Sequence, residues 1–350
     1  MRVSIVGGGL VGLSLSVELA RRGHAVTVYE PEPLARAAAT RSAGLLVTIL
    51  PDHLLPLALE TREFVEGLRE GLVRDVKALW IARDKPCMDG VLRSHERYGL
   101  NSVWAHDPGL PLFSGEHAAL IEESIIDVGG LMGTIYEWAT RLGVEIVSGA
   151  RVTWRRGYGP SWKGETLHGE VVVAAGAWTG LLVPDGSEYF MPYRCQAASI
   201  EGANPPLPIE DDSLGYYIVP VSPNRSNIGD GANTPLTDPD EGFIPDPEDS
   251  YNVLERYAQR NSRAWESRVL QVWSAPCNTT GDGLPIVDYH ESGVLVVSGL
   301  NGAGVTLGPA LARIAADVLE ASREPPSIFR FSPSKRVRPG RPLEPYDVCG

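Results

Sequence analysis

Val3-Ser4-Ile5-Val6-Gly7-Gly8-Gly9-Leu10-Val11-Gly12 opens the chain and decides its fold. An apolar β-run passes into a Gly-x-Gly-x-x-Gly turn, and the helical stretch Leu13 to Arg22 follows. This succession cradles the pyrophosphate of a dinucleotide. The first glycine makes the tight turn, the second lets backbone approach phosphate, and the third packs helix on strand. The helix N-terminus adds free N–H groups and a partial positive charge. Val26-Thr27-Val28-Tyr29 reads as the next strand. Glu30 ends it about 20 residues beyond the turn, where a carboxylate accepts from a ribose 2′-OH. A carboxylate at that place disfavours a 2′-phosphate, so FAD or NAD is expected over NADP.

Two further glycine joints support a doubly wound sheet. Glu170-Val171-Val172-Val173-Ala174-Ala175-Gly176-Ala177-Trp178 reads as a buried parallel strand whose carboxyl end exposes backbone to a ligand. Val294 to Ser298 is a second such strand. It runs into Gly299-Leu300-Asn301-Gly302-Ala303-Gly304-Val305-Thr306-Leu307-Gly308-Pro309 and a helix from Leu311 to Leu319, which points a second helix N-terminus at a ligand. Between these joints, Pro51 to about Glu123 reads as helical, broken by Pro86, Pro108 and Pro111. Asp127 caps a helix running to Leu142, and residues 191 to 273 alternate short strands with turn clusters, as an antiparallel sheet does. The Pro-, Asp- and Gly-rich stretches 202–212 and 231–249 read as solvated loops, Ser250 to Asn261 as a helix, and Ser332 to Gly350 as an extended tail.

At 350 residues the chain has room for two domains, and 43% hydrophobic with 21% charged residues is ordinary for a globular protein. A net charge of −13 argues against nucleic acid and anionic membrane as partners. The first strand begins at Arg2, which leaves no room for a signal peptide, and no apolar run spans a membrane, so a cytoplasmic location is expected. Cys87, Cys195, Cys277 and Cys349 lack Cys-x-x-Cys spacing, and the seven histidines lack metal-ligand spacing; neither a disulfide framework nor a metal is expected.

In this order the segments resemble the FAD-dependent amino-acid oxidase superfamily, which includes glycine oxidase, sarcosine oxidase, D-amino-acid dehydrogenase and dye-linked proline dehydrogenases. The carrying segments are Gly7 to Gly12 with Glu30, Thr40-Arg41-Ser42-Ala43-Gly44, Val171 to Trp178, Pro192 to Gln196, Tyr217 to Pro220, Trp273 to Ile286, and Gly299 to Pro309. The resemblance implies an α/β protein of the glutathione-reductase type: a Rossmann-like FAD-binding domain with an inserted antiparallel-sheet substrate domain. The FAD domain is expected to be discontinuous, over 1–50, 126–183 and 273–330. The helical segment 51–125 and the sheet 184–272 would form the substrate domain, and 331–350 the tail.

The same resemblance implies where FAD lies. Its pyrophosphate rests on Gly7, Gly9, Leu10, Val11 and Gly12, its ribose on Glu30, and its adenine near Val152. Thr40 to Gly44, Ala175, Gly176, Trp178 and Asn301 to Thr306 surround the rest, with non-covalent attachment expected. The reaction implied is oxidation of a C–N bond by hydride transfer to flavin N5, with hydrolysis of the imine and no indispensable protein base. The sequence leaves open which acceptor takes the electrons: oxygen, a quinone or another protein.

Departures from the family pattern centre on the substrate carboxylate. Tyr217 matches a position that contacts it in glycine-oxidase-like members, and is equally explained as an aromatic on a sheet face. The arginine that clamps the carboxylate bidentately is replaced by Cys277, and a second arginine used by some members falls on Gly302. Arg194, Arg225 or Arg41 takes over, or the substrate lacks an α-carboxylate, or a partner subunit completes the site. Cys277 reads as a small buried thiol in preference to a covalent flavin link. The rival readings are a flavin-carrying subunit of a hetero-oligomeric amine dehydrogenase and a nicotinamide-dependent Rossmann dehydrogenase. The second leaves Ala174 to Trp178 and Gly299 to Pro309 unexplained.

Overall fold

A computed structural model describes residues 1–32, 38–230 and 234–337. In chain order its first elements are β1 (Arg2–Val6), α1 (Leu10–Arg21), β2 (Ala25–Glu30), β3 (Leu45–Leu46), α2 (Leu55–Leu68), β4 (Val73–Ala82), α3 (Lys85–Arg97), β5 (Val103–Trp104) and β6 (His117–Ile126). There follow α4 (Val128–Arg141), β7 (Glu145–Ser148), β8 (Thr153–Arg155), β9 (Gly159–Trp162), β10 (Glu165–Thr166), β11 (Glu170–Val173) and the single turn α5 (Thr179–Leu182). The next group is β12 (Met191–Glu201), β13 (Ile209–Asp211), β14 (Tyr216–Ser222), β15 (Arg225–Gly229) and β16 (Thr234–Pro235). Last come α6 (Pro247–Arg260), β17 (Arg268–Thr279), β18 (Ile286–Tyr289), β19 (Leu295–Ser298) and α7 (Gly304–Leu319).

One sheet has the order β18-β19-β11-β1-β2-β7, parallel throughout except at β18. Its central strands β1, β11 and β19 are largely apolar without alternation because both faces are covered. Val172, Leu295 and Val297 pack with α1, α4 and α7, while Val173, Val296 and Val6 pack with Leu182 and the β8–β10 meander. The carboxyl ends of β1, β2 and β11 therefore open onto one edge, with the N-terminus of α1 above them.

The second sheet has the order β16-β12-β15-β14-β13-β4-β6-β3, with β17 beside β12 and β5 beside β6. Leu79, Ile81, Ala198, Ile200, Ile218 and Ile228 face α6 and its Val253, Leu254 and Tyr257. Residues one step away, among them Tyr193, Cys195, Ala197, Glu210 and Tyr217, face the opposite way and line a cavity.

Three expectations are corrected here. The stretch 51–125 is not helical throughout: β4 and β6 pair antiparallel over ten positions, from Val73↔Ile126 to Ala82↔His117. Ala78 to Ala82 is buried on both faces, so no period-2 pattern marks it, and Ala118, Ala119, Glu122 and Glu123 take strand geometry because β4 pairs with them. The loop 202–212 contains β13, which joins β4 in parallel and β14 in antiparallel fashion. Within 231–249, a 3-10 turn at Pro239–Phe243 packs on Pro276, and residues 231–233 lie outside the described residues.

The expected tail is also shorter than 331–350. Residues 331 to 337 dock: Val337 N–H donates to Glu188 O at 2.7 Å, and Gly281 N–H to Lys335 O at 2.9 Å. Lys335 is 1% exposed and its ammonium donates to Asp282 Oδ1 at 3.0 Å and Leu284 O at 3.3 Å. Residues 338–350, Cys349 included, lie outside the described residues. Burial alone would raise the Asp282 carboxyl, but the Lys335 ammonium holds it below its ordinary value. Lys335→Ala is expected to destabilise the protein by about 1–3 kcal/mol, the scale of a lost charged hydrogen bond. It should also expose 332–337 to limited proteolysis, checked by thermal unfolding and mass spectrometry of the nicked chain. The Asp282 contribution is present above the carboxylate's unfolded pKa and fades as pH falls through its lower folded value.

Candidate active site

A single cavity of about 860 Å³ runs from the Gly7–Val11 turn to the inner face of the second sheet. That places it among ligand-sized pockets, which are roughly 300–1,000 Å³. Its first end is glycine backbone. Gly7 (φ 109°) turns β1 toward α1, and a Cβ at Gly9 would meet no protein atom within 4 Å, so that face is open to a ligand. Glu30 reaches back from β2, its Oε2 accepting from Gly8 N–H at 2.7 Å and its Oε1 from Glu32 N–H at 3.0 Å. Charge and amides converge on one spot, as a ribose–pyrophosphate unit requires.

Nearly all the expected cofactor residues lie on this cavity: Gly7, Gly9, Leu10, Val11, Glu30, Arg41, Ser42, Ala43, Val152, Ala175, Gly176, Trp178 and Asn301 to Thr306. Gly12, Thr40 and Gly44 do not line it. Gly12 sits beneath the turn, packed on the Gly7 carbonyl. The 3-10 turn Ala38–Arg41 is pinned to β17, where Trp273 Nε1 donates to Arg41 O at 2.8 Å and Arg41 donates to Ser274 O at 3.2 Å. Arg41 also lies over the Phe243 ring, 5.1 Å from its centroid, and Phe243 stacks on Trp178 at 6.0 Å. From the other side, Val47 N–H donates to Thr306 Oγ1 at 3.2 Å, tying the chain after β3 to the first turn of α7.

The second end is built by the sheet. Tyr217 lies across Gly229, where a Cβ would stand 2.5 Å from its hydroxyl; only glycine gives the ring that place. Burial, followed by the charge of Cys195 and Asp230, raises the Tyr217 phenol and keeps it a neutral donor. Cys195 and Cys277 come from adjacent strands, each offset by two from the residue directly opposite, and their thiols hydrogen-bond. The cysteines that look scattered in sequence thus form a pair, which the separation of 82 positions concealed. The bond from Cys195 lowers the Cys277 thiol against the effect of burial and raises that of Cys195.

Arg194 is not part of the site. It points to the far face of β12, donating to Ile244 O at 3.3 Å and ion-pairing with Asp249 at 3.5 Å and Asp246 at 3.6 Å. The alternation of a strand puts it opposite Tyr193 and Cys195. Arg225 binds Ser199 Oγ at 3.1 Å and is equally off the cavity. Of the three candidate arginines only Arg41 lines it. Sequence reasoning missed Glu210, Asp230, Trp273 and Cys195 on the wall. Glu210 lay in a presumed loop, and nothing short of the β13–β14 register reveals that it faces Tyr217. Among the described residues, no group of three or more His, Cys, Asp or Glu is placed to hold a metal, and no helix is long and apolar enough to cross a membrane.

A family model described as FAD dependent oxidoreductase matches residues 2–318. Glycine oxidase of Geobacillus kaustophilus is 26% identical, over 96% of this chain and 97% of its own length. The crystal structure of glycine oxidase from that organism superposes with a TM-score of 0.76 at 25% identity, covering 92% of this chain and 96% of that one. The L-proline dehydrogenase structure from P. horikoshii gives a TM-score of 0.79 at 18% identity, over 92% and 94%, a likeness of fold.

Proposed function

The chain belongs to the FAD-dependent oxidoreductase family, and on that premise we propose that it oxidises the C–N bond of an amine or amino acid, the imine product then hydrolysing. The carrying observation is the continuity of the cavity, which joins a dinucleotide cradle to a sheet wall bearing Tyr217, Cys277 and Glu210. FAD supplies the ring that accepts the hydride equivalent at N5. The chain's own residues hold and orient. In this reading the Gly9 amide and the N-terminus of α1 take the pyrophosphate, Glu30 the ribose, and Val152 the adenine edge. Arg41 to Gly44 and Gly302 to Thr306 flank the ring, and the positive end of α7 favours negative charge on it. Substrate lies between the ring and the sheet, shielded from water by Tyr217 and Trp273, with the Tyr217 hydroxyl as a fixed donor.

The first test is the visible spectrum of the purified protein before and after anaerobic addition of proline, sarcosine, glycine and D-alanine. Bleaching of a flavin spectrum by an amine supports C–N oxidation; a colourless protein that takes up no FAD overturns it. Glu30→Ala is expected to weaken FAD binding roughly 10- to 100-fold, the value of a charged hydrogen bond. Quenching of flavin fluorescence measures it, and Glu30→Gln should recover part of the loss.

The missing clamp favours a second reading, a flavin subunit completed by a partner. Reduction of the flavin by an amine in the isolated chain would sink it.

A further inference from the structure

Asn278 lies near the end of β17, beside Cys277, where the ends of β11 and β19 meet the second sheet. Its side chain is 5% exposed and its amide is fully engaged. Nδ2 donates to Gly176 O and to Ser298 Oγ, each at 2.9 Å, and Oδ1 accepts from Gly299 N–H at 3.2 Å. A main-chain carbonyl on one side and a main-chain amide on the other fix which end of the amide is which. The Asn278 carbonyl adds a fourth bond, accepting from Asn301 N–H at 3.0 Å. One residue thus ties the joint after β11 and the joint after β19 to the substrate sheet.

The joint after β19 is the one that needs holding. Asn301 adopts a left-handed φ of 47° between Gly299 at 80° and Gly302 at 82°. For a residue other than glycine that conformation costs on the order of 1 kcal/mol, and it persists only where the surroundings over-determine it. Three residues on, α7 begins at Gly304 with no side chain capping it, so its first amides stay free. Gly304, Val305 and Thr306 line the cavity together with Gly176 and Asn278. The aim of those amides is set by the joint, and the joint is held at both ends by Asn278.

We propose that Asn278 is a positioning residue that raises the reduction potential of the bound flavin. By locking the Gly299–Gly302 turn to Gly176, it holds the positive end of α7 against the ring, where a fixed dipole favours the negative charge gained on reduction. The inference rests on FAD binding with the ring beside Gly302 to Thr306, and not on which amine is oxidised. Alanine at 278 leaves Gly299 N–H without its acceptor in a buried region. Gly176 O and Ser298 Oγ keep each other at 3.4 Å, and Ser298 keeps Thr179 at 2.8 Å, so the loss is local to the turn. Reduced flavin then loses more than oxidised flavin, whose pyrophosphate and ribose are held at the far end of the cavity.

The test titrates the FAD-loaded protein anaerobically with dithionite against a reference redox dye, and measures the Kd of oxidised FAD by fluorescence quenching. Wild type is compared with Asn278→Ala, Ser298→Ala and Lys335→Ala. Asn278→Ala is expected to lower the ratio of affinities for reduced over oxidised flavin about tenfold, ~30 mV for a two-electron couple. The Kd of oxidised FAD should stay within about threefold of wild type, since the helix-end contribution is the one withdrawn. Ser298→Ala removes one of the two acceptors of Nδ2 and leaves the Gly299 contact, so it should shift the potential in the same direction by less. Lys335→Ala loses stability outside the cavity and should keep the wild-type potential. A wild-type potential in Asn278→Ala, or an equal shift in Lys335→Ala, overturns the proposal. Should Asn278→Ala fail to fold, a wild-type potential in Ser298→Ala overturns it. An amine that bleaches the wild-type flavin, with an unmoved potential in Asn278→Ala, would leave C–N oxidation standing and remove the positioning role. A shifted potential in a protein that no amine reduces would do the reverse.

Discussion

Gly12→Val is expected to give a protein that purifies without flavin. Gly12 lies in the first turn of α1, and a Cβ there would stand 1.9 Å from the Gly7 carbonyl oxygen. No rotamer relieves that contact, because the backbone fixes the position of the Cβ and its partner is a backbone carbonyl, so the helix must lift from the turn. Lifting it withdraws the free amides of Leu10 and Val11 from the phosphate position. Two charge-assisted bonds at about 1.5–3 kcal/mol each correspond to a loss in FAD affinity on the order of 10²- to 10⁴-fold. The ratio of flavin to protein absorbance, and the Kd for added FAD, measure it. Gly9→Ala is the matched control. Its methyl meets no protein atom and projects only where a ligand would be, so it should cost FAD affinity with unchanged thermal stability of the apoprotein. A Gly12→Val protein that retains stoichiometric FAD would show that the turn does not carry the phosphate.

The parallel sheet and its glycine joints were legible because their sequence signals are local. Val3 to Gly12, Val171 to Gly176 and Val294 to Gly304 each hold a strand, a turn and usually a helix start within about a dozen residues. The opposite wall was not legible, since its residues meet through register. Tyr217 could be placed on a strand, but its neighbour Glu210 lay in a Pro- and Asp-rich stretch whose three-residue strand is stabilised from both sides by β4 and β14. Arg194 failed for a related reason. Residue type nominated it, while strand parity, fixed by its pairing with β17, turned it away from the cavity. Cys195 and Cys277 show the same limit, since pairing between distant strands leaves no spacing motif.

Replacing Arg260 by alanine is expected to cause the largest loss of stability of any single change away from the cofactor. Its side chain is fully buried at the end of α6. Nε donates to Asp211 Oδ2 at 2.8 Å, Nη1 and Nη2 to the two oxygens of Glu116 at 2.8 and 2.9 Å, and the guanidinium lies 4.5 Å from the Phe113 ring centroid. Removing the cation strands the buried Asp211 carboxylate and the half-buried one of Glu116, which costs about 3–5 kcal/mol. The pH dependence carries a sign. Burial opposes ionisation of Glu116, but Arg260, Ser213 and the Phe113 amide bring its carboxyl down to about 2. Its folded pKa is thus depressed, so its contribution is full above the unfolded value near 4.5 and is lost as pH falls toward 2. The gap in Tm between wild type and Arg260→Ala should therefore be widest near neutrality and narrow in acid. Equal Tm at neutral pH would refute the account. The consequence reaches the cavity because Asp211, anchored by Arg260 on one face of β13, is the immediate neighbour of Glu210 on the other.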